Sequence, residues 1–211
     1  MPSEDMALSV RKITRKASTR IARTAFALAA QRRRKITVVH KANVFRVSDG
    51  LFLEAVRGVR DEFPDFEYEE QIVDAMAALL IRDPAQFDVI VTTNMFGDIL
   101  SDEASEIAGS LGMAASLNAG EHFAMAQAQH GSAPSLAGQD IANPSSLIGS
   151  AAMLLRWIAK RHDAPHFVLA AEAIESAIST VVANPKTRTR DLGGELGTNE
   201  YTDKLLEIIN K

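Results

Sequence analysis

The stretch Phe87-Asp88-Val89-Ile90-Val91-Thr92-Thr93-Asn94-Met95-Phe96-Gly97-Asp98-Ile99-Leu100-Ser101-Asp102-Glu103 decides how the chain is read. It opens on a short apolar run, and a strand is expected over Val89 to Thr92. In a helix starting after it, Asp98 and Asp102 stand one turn apart and project from the same face. Two carboxylates just past the end of a buried strand are half of a hard-cation site. The same pair also suits the first turns of a helix, where the dipole favours negative charge. Spacing alone leaves both readings open.

Working outward, strand and helix alternate through the first half. Apolar residues at helical spacing (Ala17, Ile21, Ala25, Leu28) predict a helix over 14–30. The charge run Gln31 to Lys35 reads as a solvated connector rather than a phosphate-binding patch. A strand over Ile36 to His40 leads into Lys41-Ala42-Asn43. A helix from Asp49 to Phe63, stopping before Pro64, is followed by a strand over Tyr68 to Val73. Ala75 to Ile81 then reads as a helix ending near Asp83-Pro84. This is the pattern of an α/β fold with an open, largely parallel sheet and flanking helices. Ligands of such sheets sit at the carboxyl ends of the strands. Lys41, Asp74 and Asp98 each fall just after a predicted strand.

The second half changes character. Residues 104–118 are rich in small side chains, and His130 to Pro144 is a long loop dense in Gly, Ser and Pro, of the kind that often carries function. Helices are expected over 146–160 and 164–182. Asp191-Leu192-Gly193-Gly194 then precedes a last helix over 198–210, with Thr198 as N-cap. The first few residues are expected to fray.

The chain has 211 residues, enough for one domain or two small ones with a real core. Its net charge of −4 argues against general nucleic-acid binding. With no cysteine, disulfides and thiolate metal sites are excluded, and a reducing cytoplasm is the expected location. Charges interrupt the apolar stretches well short of a membrane span, and no signal-peptide core is visible. A soluble protein with neither membrane nor nucleic-acid partner is expected.

Six segments, in order, resemble the isocitrate/isopropylmalate family of metal-dependent β-decarboxylating dehydrogenases. They are Val39-His40-Lys41-Ala42-Asn43-Val44, Ile72-Val73-Asp74-Ala75, Asn94 to Asp102, His130-Gly131-Ser132-Ala133-Pro134, Ile141-Ala142-Asn143-Pro144 and Asp191-Leu192-Gly193-Gly194. The resemblance implies an isopropylmalate dehydrogenase-like fold. Residues 1–107 would supply most of a small dimerisation and substrate–metal domain, and 108–211 the C-terminal part of an incomplete nucleotide-binding domain. It implies that Asp98, Asp102 and Asp74 hold Mg²⁺ or Mn²⁺, with Asp74 coming from the other subunit of a homodimer that shares its active sites. Lys41 would take part in deprotonating the substrate hydroxyl, with Asp74 beside it in the catalytic set. Asn43 would meet the nicotinamide end or the substrate. His130, Gly131, Ser132, Ala133 and Asn143 would receive the adenine nucleotide; no G-x-G-x-x-G motif is involved. The reaction implied is NAD(P)-linked oxidative decarboxylation of a 2-hydroxy-3-carboxy acid of the isocitrate, homoisocitrate or 3-isopropylmalate type.

The chain departs from the family pattern in several places. The region that in complete members precedes the segment matching Ser9 to Arg23, with its substrate-clamping arginines, has no counterpart here. Neither Tyr68 nor Tyr201 matches the family's proton-donating tyrosine. Ser135 stands where NAD-using members usually carry aspartate, so NAD is expected with NADP as the alternative. Gln127 replaces a glutamate common ahead of the histidine loop. The alternative function is therefore a truncated, non-catalytic homologue acting as a dimerising or metal-binding module.

Overall fold

The computed structural model describes residues 4–210; the expectation of fraying at the start falls largely on Met1 to Ser3, outside that range. The chain divides into two compact units, Met1–Ala104 and Ser105–Lys211.

Unit 1 is built on three parallel strands, β1 (Lys35–His40), β2 (Glu67–Ile72) and β3 (Val89–Thr92), in the order β2-β1-β3. Central β1 is buried on both faces, as its Ile36-Thr37-Val38-Val39 run demands. Ile36 and Val38 join Val89 and Val91 in a core against α1 (Arg15–Ala29) and α2 (Arg46–Arg60), whose Phe26, Phe52 and Val56 fill it. On the other face Val39 packs with Met76 and Leu80 of α3 (Val73–Arg82) and Leu100 of α4 (Asn94–Ala108). Helices on both faces of a parallel sheet are the expected α/β architecture. Edge strand β2 is acidic, and its charges are matched. Lys35 Nζ lies 2.7 Å from Glu67, and Arg57 reaches Glu70 through Nε and Nη2 at 2.7 and 2.6 Å. A charged edge resists pairing with another chain.

Two boundaries differ from expectation. α2 begins and ends three residues early. At its start, Val44 and Phe45 donate to the Lys41 carbonyl in a turn that runs straight into the helix. At its end, Phe63 leaves helical register to stack on Phe26, ring centres 4.9 Å apart, before Pro64 could force the break. The basic connector is exposed, as expected, and one carboxylate ties it down. Asp88, almost fully buried, accepts from Arg32 Nε at 2.8 Å and from the Arg33 backbone N–H at 3.0 Å.

Unit 2 holds an antiparallel hairpin that the sequence reading missed, β4 (Ala115–Ala119) and β5 (Ala124–Ala128). Its strands are mostly Ala, Ser, Asn and Gln, poor strand formers. Helix α5 (Ser145–His162) holds them: Ser150 Oγ accepts the Ser116 N–H at 2.9 Å and donates to the Gln127 carbonyl at 2.8 Å. Ser146 Oγ does the same one turn earlier, accepting from Gln129 N at 3.1 Å and donating to the Ala114 carbonyl at 2.5 Å. α6 (His166–Ala183) and α7 (Thr198–Ile209) complete the unit around Ala177, Val181, Tyr201 and Leu205. α6 corrects the reading of apolar stretches: with mean hydropathy 1.4 it is long and apolar enough to cross a membrane. Here it packs against α5 and α7, with Glu175 and Glu172 facing Arg156. Thr198 is not the N-cap of α7 but its first residue; Gly197 caps it, and the Asp140 carbonyl and Oδ1 take the Thr198 and Asn199 N–H groups.

Candidate functional site

In unit 1 the chemistry gathers at the carboxyl edge of the sheet, where three consecutive strand ends each release one singled-out residue. Lys41 follows β1 directly. Asp74 is the second residue of α3, which begins without a loop after β2. Asp98 lies in the second turn of α4, which a single residue, Thr93, separates from β3. Because β1 is central, Lys41 emerges between the other two.

Lys41 Nζ and Asp74 Oδ1 form an ion pair at 2.6 Å, with the lysine side chain mostly covered and the aspartate mostly exposed. The Lys41 ammonium, followed by the aspartate's own backbone N–H, holds the Asp74 carboxyl below its ordinary value. The lysine's backbone is fixed from below by a residue that the sequence reading passed over. Asp49, fully buried in α2, accepts the Lys41 N–H on Oδ2 at 2.7 Å and the Arg11 guanidinium on Oδ1. Arg11 in turn lies over the Phe45 ring, 4.5 Å from its centre. Asp49 sat where a helix start was expected and so looked like an ordinary first-turn acid; only its position eight residues past Lys41 could have singled it out. Asn43 is exposed in the turn after Lys41.

Asp98 and Asp102 occupy the exposed face of α4 at the expected one-turn spacing, with Asn94 Nδ2 donating to Asp98 Oδ2 at 2.8 Å. Among the described residues, no group of three His, Cys, Asp or Glu side chains comes together to hold a metal ion. Within one chain, then, Asp74 does not complete a set with Asp98 and Asp102. The donor types suit a hard cation, but a single copy does not assemble the site. Tyr68 is not a candidate proton donor here. It pairs in register with Ile36 near the far end of β1, and its hydroxyl donates to Glu70 at 2.6 Å. Tyr201 is buried in unit 2 against Ser145 Oγ at 2.6 Å.

Unit 2 contains a cavity of about 870 Å³, the size of a nucleotide or cofactor pocket. His130, Gly131, Ser132, Ala133 and Asn143 line it together with Ser110 and Asp191. The loop is bent by two non-glycine residues in left-handed conformation, Ala133 (φ 41°) and Asp140 (φ 53°), a strained geometry that clusters at ligand sites. His130 Nδ1 lies 2.8 Å from the Gly131 carbonyl, a contact that requires the proton on Nδ1. Asn143 presents less than its sequence position suggested. Its Nδ2 donates to Asp191 Oδ2 at 3.0 Å and its Oδ1 accepts the Ser145 N–H at 3.0 Å, so the backbone is what it offers a ligand. Ser135 lies outside the lining, in a 3₁₀ turn over Pro134–Leu136, and its carbonyl accepts from Gln139. The lining is compatible with an adenosine: apolar small residues, open space at Gly131, and backbone groups on a bent loop.

Known proteins share this sequence and this fold. Residues 1–205 match the sequence profile of the isocitrate/isopropylmalate dehydrogenase family. The chain is 46% identical over 210 residues to a 3-isopropylmalate dehydrogenase of Sulfurisphaera tokodaii, covering 99% of this chain and 60% of that protein. It is 45% identical over 208 residues to a homoisocitrate dehydrogenase of Methanocaldococcus jannaschii, covering 98% and 57%. A crystal structure of an isocitrate dehydrogenase from Methylococcus capsulatus superposes with a TM-score of 0.89 at 40% identity, covering 98% of this chain and 60% of that one. The chain thus spans about 60% of the length of these relatives. By profile, identity and fold, it belongs to the isocitrate/isopropylmalate dehydrogenase family.

Proposed function

We propose that this chain carries the metal-binding, base and adenine-nucleotide elements of an NAD-linked oxidative decarboxylation of a 2-hydroxy-3-carboxy acid, of the isocitrate, homoisocitrate or 3-isopropylmalate type. The observation that carries the reading is the Lys41–Asp74 ion pair at the carboxyl edge of a parallel sheet whose next strand releases Asp98. When bound, a Mg²⁺ or Mn²⁺ ion supplies Lewis-acid polarisation of the substrate, and NAD accepts a hydride. Asp98 and Asp102 of one copy and Asp74 of a second hold the cation in a homodimer. Lys41, paired with Asp74, takes part in deprotonating the substrate's hydroxyl, and Asp49 keeps the Lys41 backbone in place. His130 to Ala133 and the Asn143 backbone seat the adenosine. Ser135 carries no charge to repel a 2′-phosphate, so NADP is the second cofactor to test. Asn43 meets the nicotinamide end.

A second reading, a non-catalytic homologue acting as a dimerising or metal-binding module, draws on the lack of a three-acid group within one chain among the described residues. Calorimetric titration of the full chain with Mn²⁺, NAD⁺ and NADP⁺ tests the binding that the first reading requires. Weak Mn²⁺ binding, lost in Asp98→Asn and Asp102→Asn, and NAD⁺ binding kept in both variants are expected; an inert chain would overturn that reading. Turnover assays with the three hydroxy acids test the second reading. The chain by itself is expected to reduce little or no NAD⁺, and robust reduction would remove the second reading.

A further inference from the structure

One carboxylate in the unit 2 cavity has no task in the reaction just described. Asp191 is an exposed residue of the short 3₁₀ turn Arg190–Leu192, yet its Oδ2 accepts from Ser110 Oγ at 2.5 Å and from Asn143 Nδ2 at 3.0 Å. Each donor is itself tied to the backbone around it. Ser110 Oγ accepts the Gly112 N–H at 3.0 Å, and Asn143 Oδ1 accepts the Ser145 N–H at 3.0 Å. The amide of Asn143 therefore has a single consistent orientation, nitrogen toward the carboxylate and oxygen toward the start of α5. Three segments distant in sequence meet at one oxygen atom, and each contributes to the cavity lining through Ser110, Gly112, Asn143 and Asp191. The junction is also tight. A Cβ on Gly112 would lie 2.8 Å from Asn143 Cβ and 3.0 Å from Asp191 Oδ2.

We propose that Asp191 is the positioning residue of this cavity. Its carboxylate sets the spacing between the Ser110–Gly112 turn and the Asn143 backbone, the two walls between which the adenine end of the nucleotide sits. This rests on the adenine-nucleotide reading of the cavity. Asn143 has spent both polar ends of its side chain on Asp191 and Ser145, so the direction of its backbone groups follows from that clamp. A wall held this way is preorganised before any ligand arrives, and loosening it weakens binding without removing a ligand contact.

AMP titrated calorimetrically into the full chain tests this, alongside the melting temperature of each variant. Asp191→Ala is expected to weaken AMP binding about tenfold, the lower end of what loss of a supporting contact costs a bound ligand. Asn143→Asp sets two carboxylates against each other and should weaken it too. The exchange Asp191→Asn with Asn143→Asp restores an amide–carboxylate bond with the partners reversed, and most of the affinity should return. Ser150→Ala, which loosens the hairpin but lines no part of the cavity, should lower the melting temperature and leave AMP affinity unchanged. Parent-like affinity in Asp191→Ala overturns the proposal, as does an exchange variant no tighter than Asn143→Asp alone. If the parent binds neither AMP nor NAD⁺, the nucleotide reading itself falls, a result visible before any variant is made.

Discussion

At the scale of single residues, each unit has one carboxylate that holds backbone in place, Asp49 in unit 1 and Asp191 in unit 2. Asp49 holds the Lys41 N–H and the Arg11 guanidinium from a fully buried position. Asp49→Ala leaves both donors unmatched and is expected to cost about 2–3 kcal/mol in urea unfolding. The Lys41–Asp74 pair is exposed on the aspartate side, and such pairs add little to stability. Asp74→Asn should therefore leave the unfolding midpoint unmoved while abolishing Mn²⁺ binding. Asp191 has a pH signature. Desolvation pushes its carboxyl up, but the Ser110 and Asn143 donors and its own backbone N–H outweigh it and hold the group below its ordinary value. A carboxyl lowered by folding stabilises the fold above its unfolded value, about pH 3.9, and that contribution is lost as pH falls through the lower folded value. The stability gap between parent and Asp191→Ala should be constant from neutral pH to about pH 4 and shrink below it; a gap that grows on acidification would refute the assignment. Lys41, Asp74 and Asp98 were legible in the sequence because each follows a β-rich run. The supporting shell of Asp49 and Asp191 was not, because its partners lie eight and 38 residues away in one case and 48 and 81 in the other.

At the scale of elements, the parallel sheet of unit 1 was legible and the hairpin of unit 2 was not. β1 carries β-branched residues buried on both faces and β3 carries them buried on one and partly buried on the other, so their apolar runs announce them. β4 and β5 carry small and polar residues with no alternation strong enough to read, and their pairing depends on Ser146 and Ser150 from α5. A strand whose backbone is satisfied by hydroxyls from a distant helix leaves no local trace. Ser150→Ala strips partners from the Ser116 N–H and the Gln127 carbonyl and is expected to cost about 1–3 kcal/mol. Faster hydrogen exchange over Ala115–Ala128, with unit 1 unaffected, is the accompanying signature; unchanged exchange there would show that α5 does not hold the hairpin.

At the scale of the molecule, one chain supplies a lysine–aspartate pair, a pair of aspartates one helical turn apart and a nucleotide-sized cavity, yet no three-acid group among its described residues. On the proposed function each metal site lies between two copies, Asp98 and Asp102 from one and Asp74 from the other. In a two-fold dimer every such contact occurs twice. The claim is tested most directly by mixing Asp74→Asn with Asp98→Asn after unfolding and refolding them together, and titrating Mn²⁺. Each variant alone should bind none. A mixed dimer carries one intact site and one doubly disabled site, so random mixing should restore roughly a quarter of the parent's Mn²⁺ capacity. No recovery on mixing would contradict a site shared between copies.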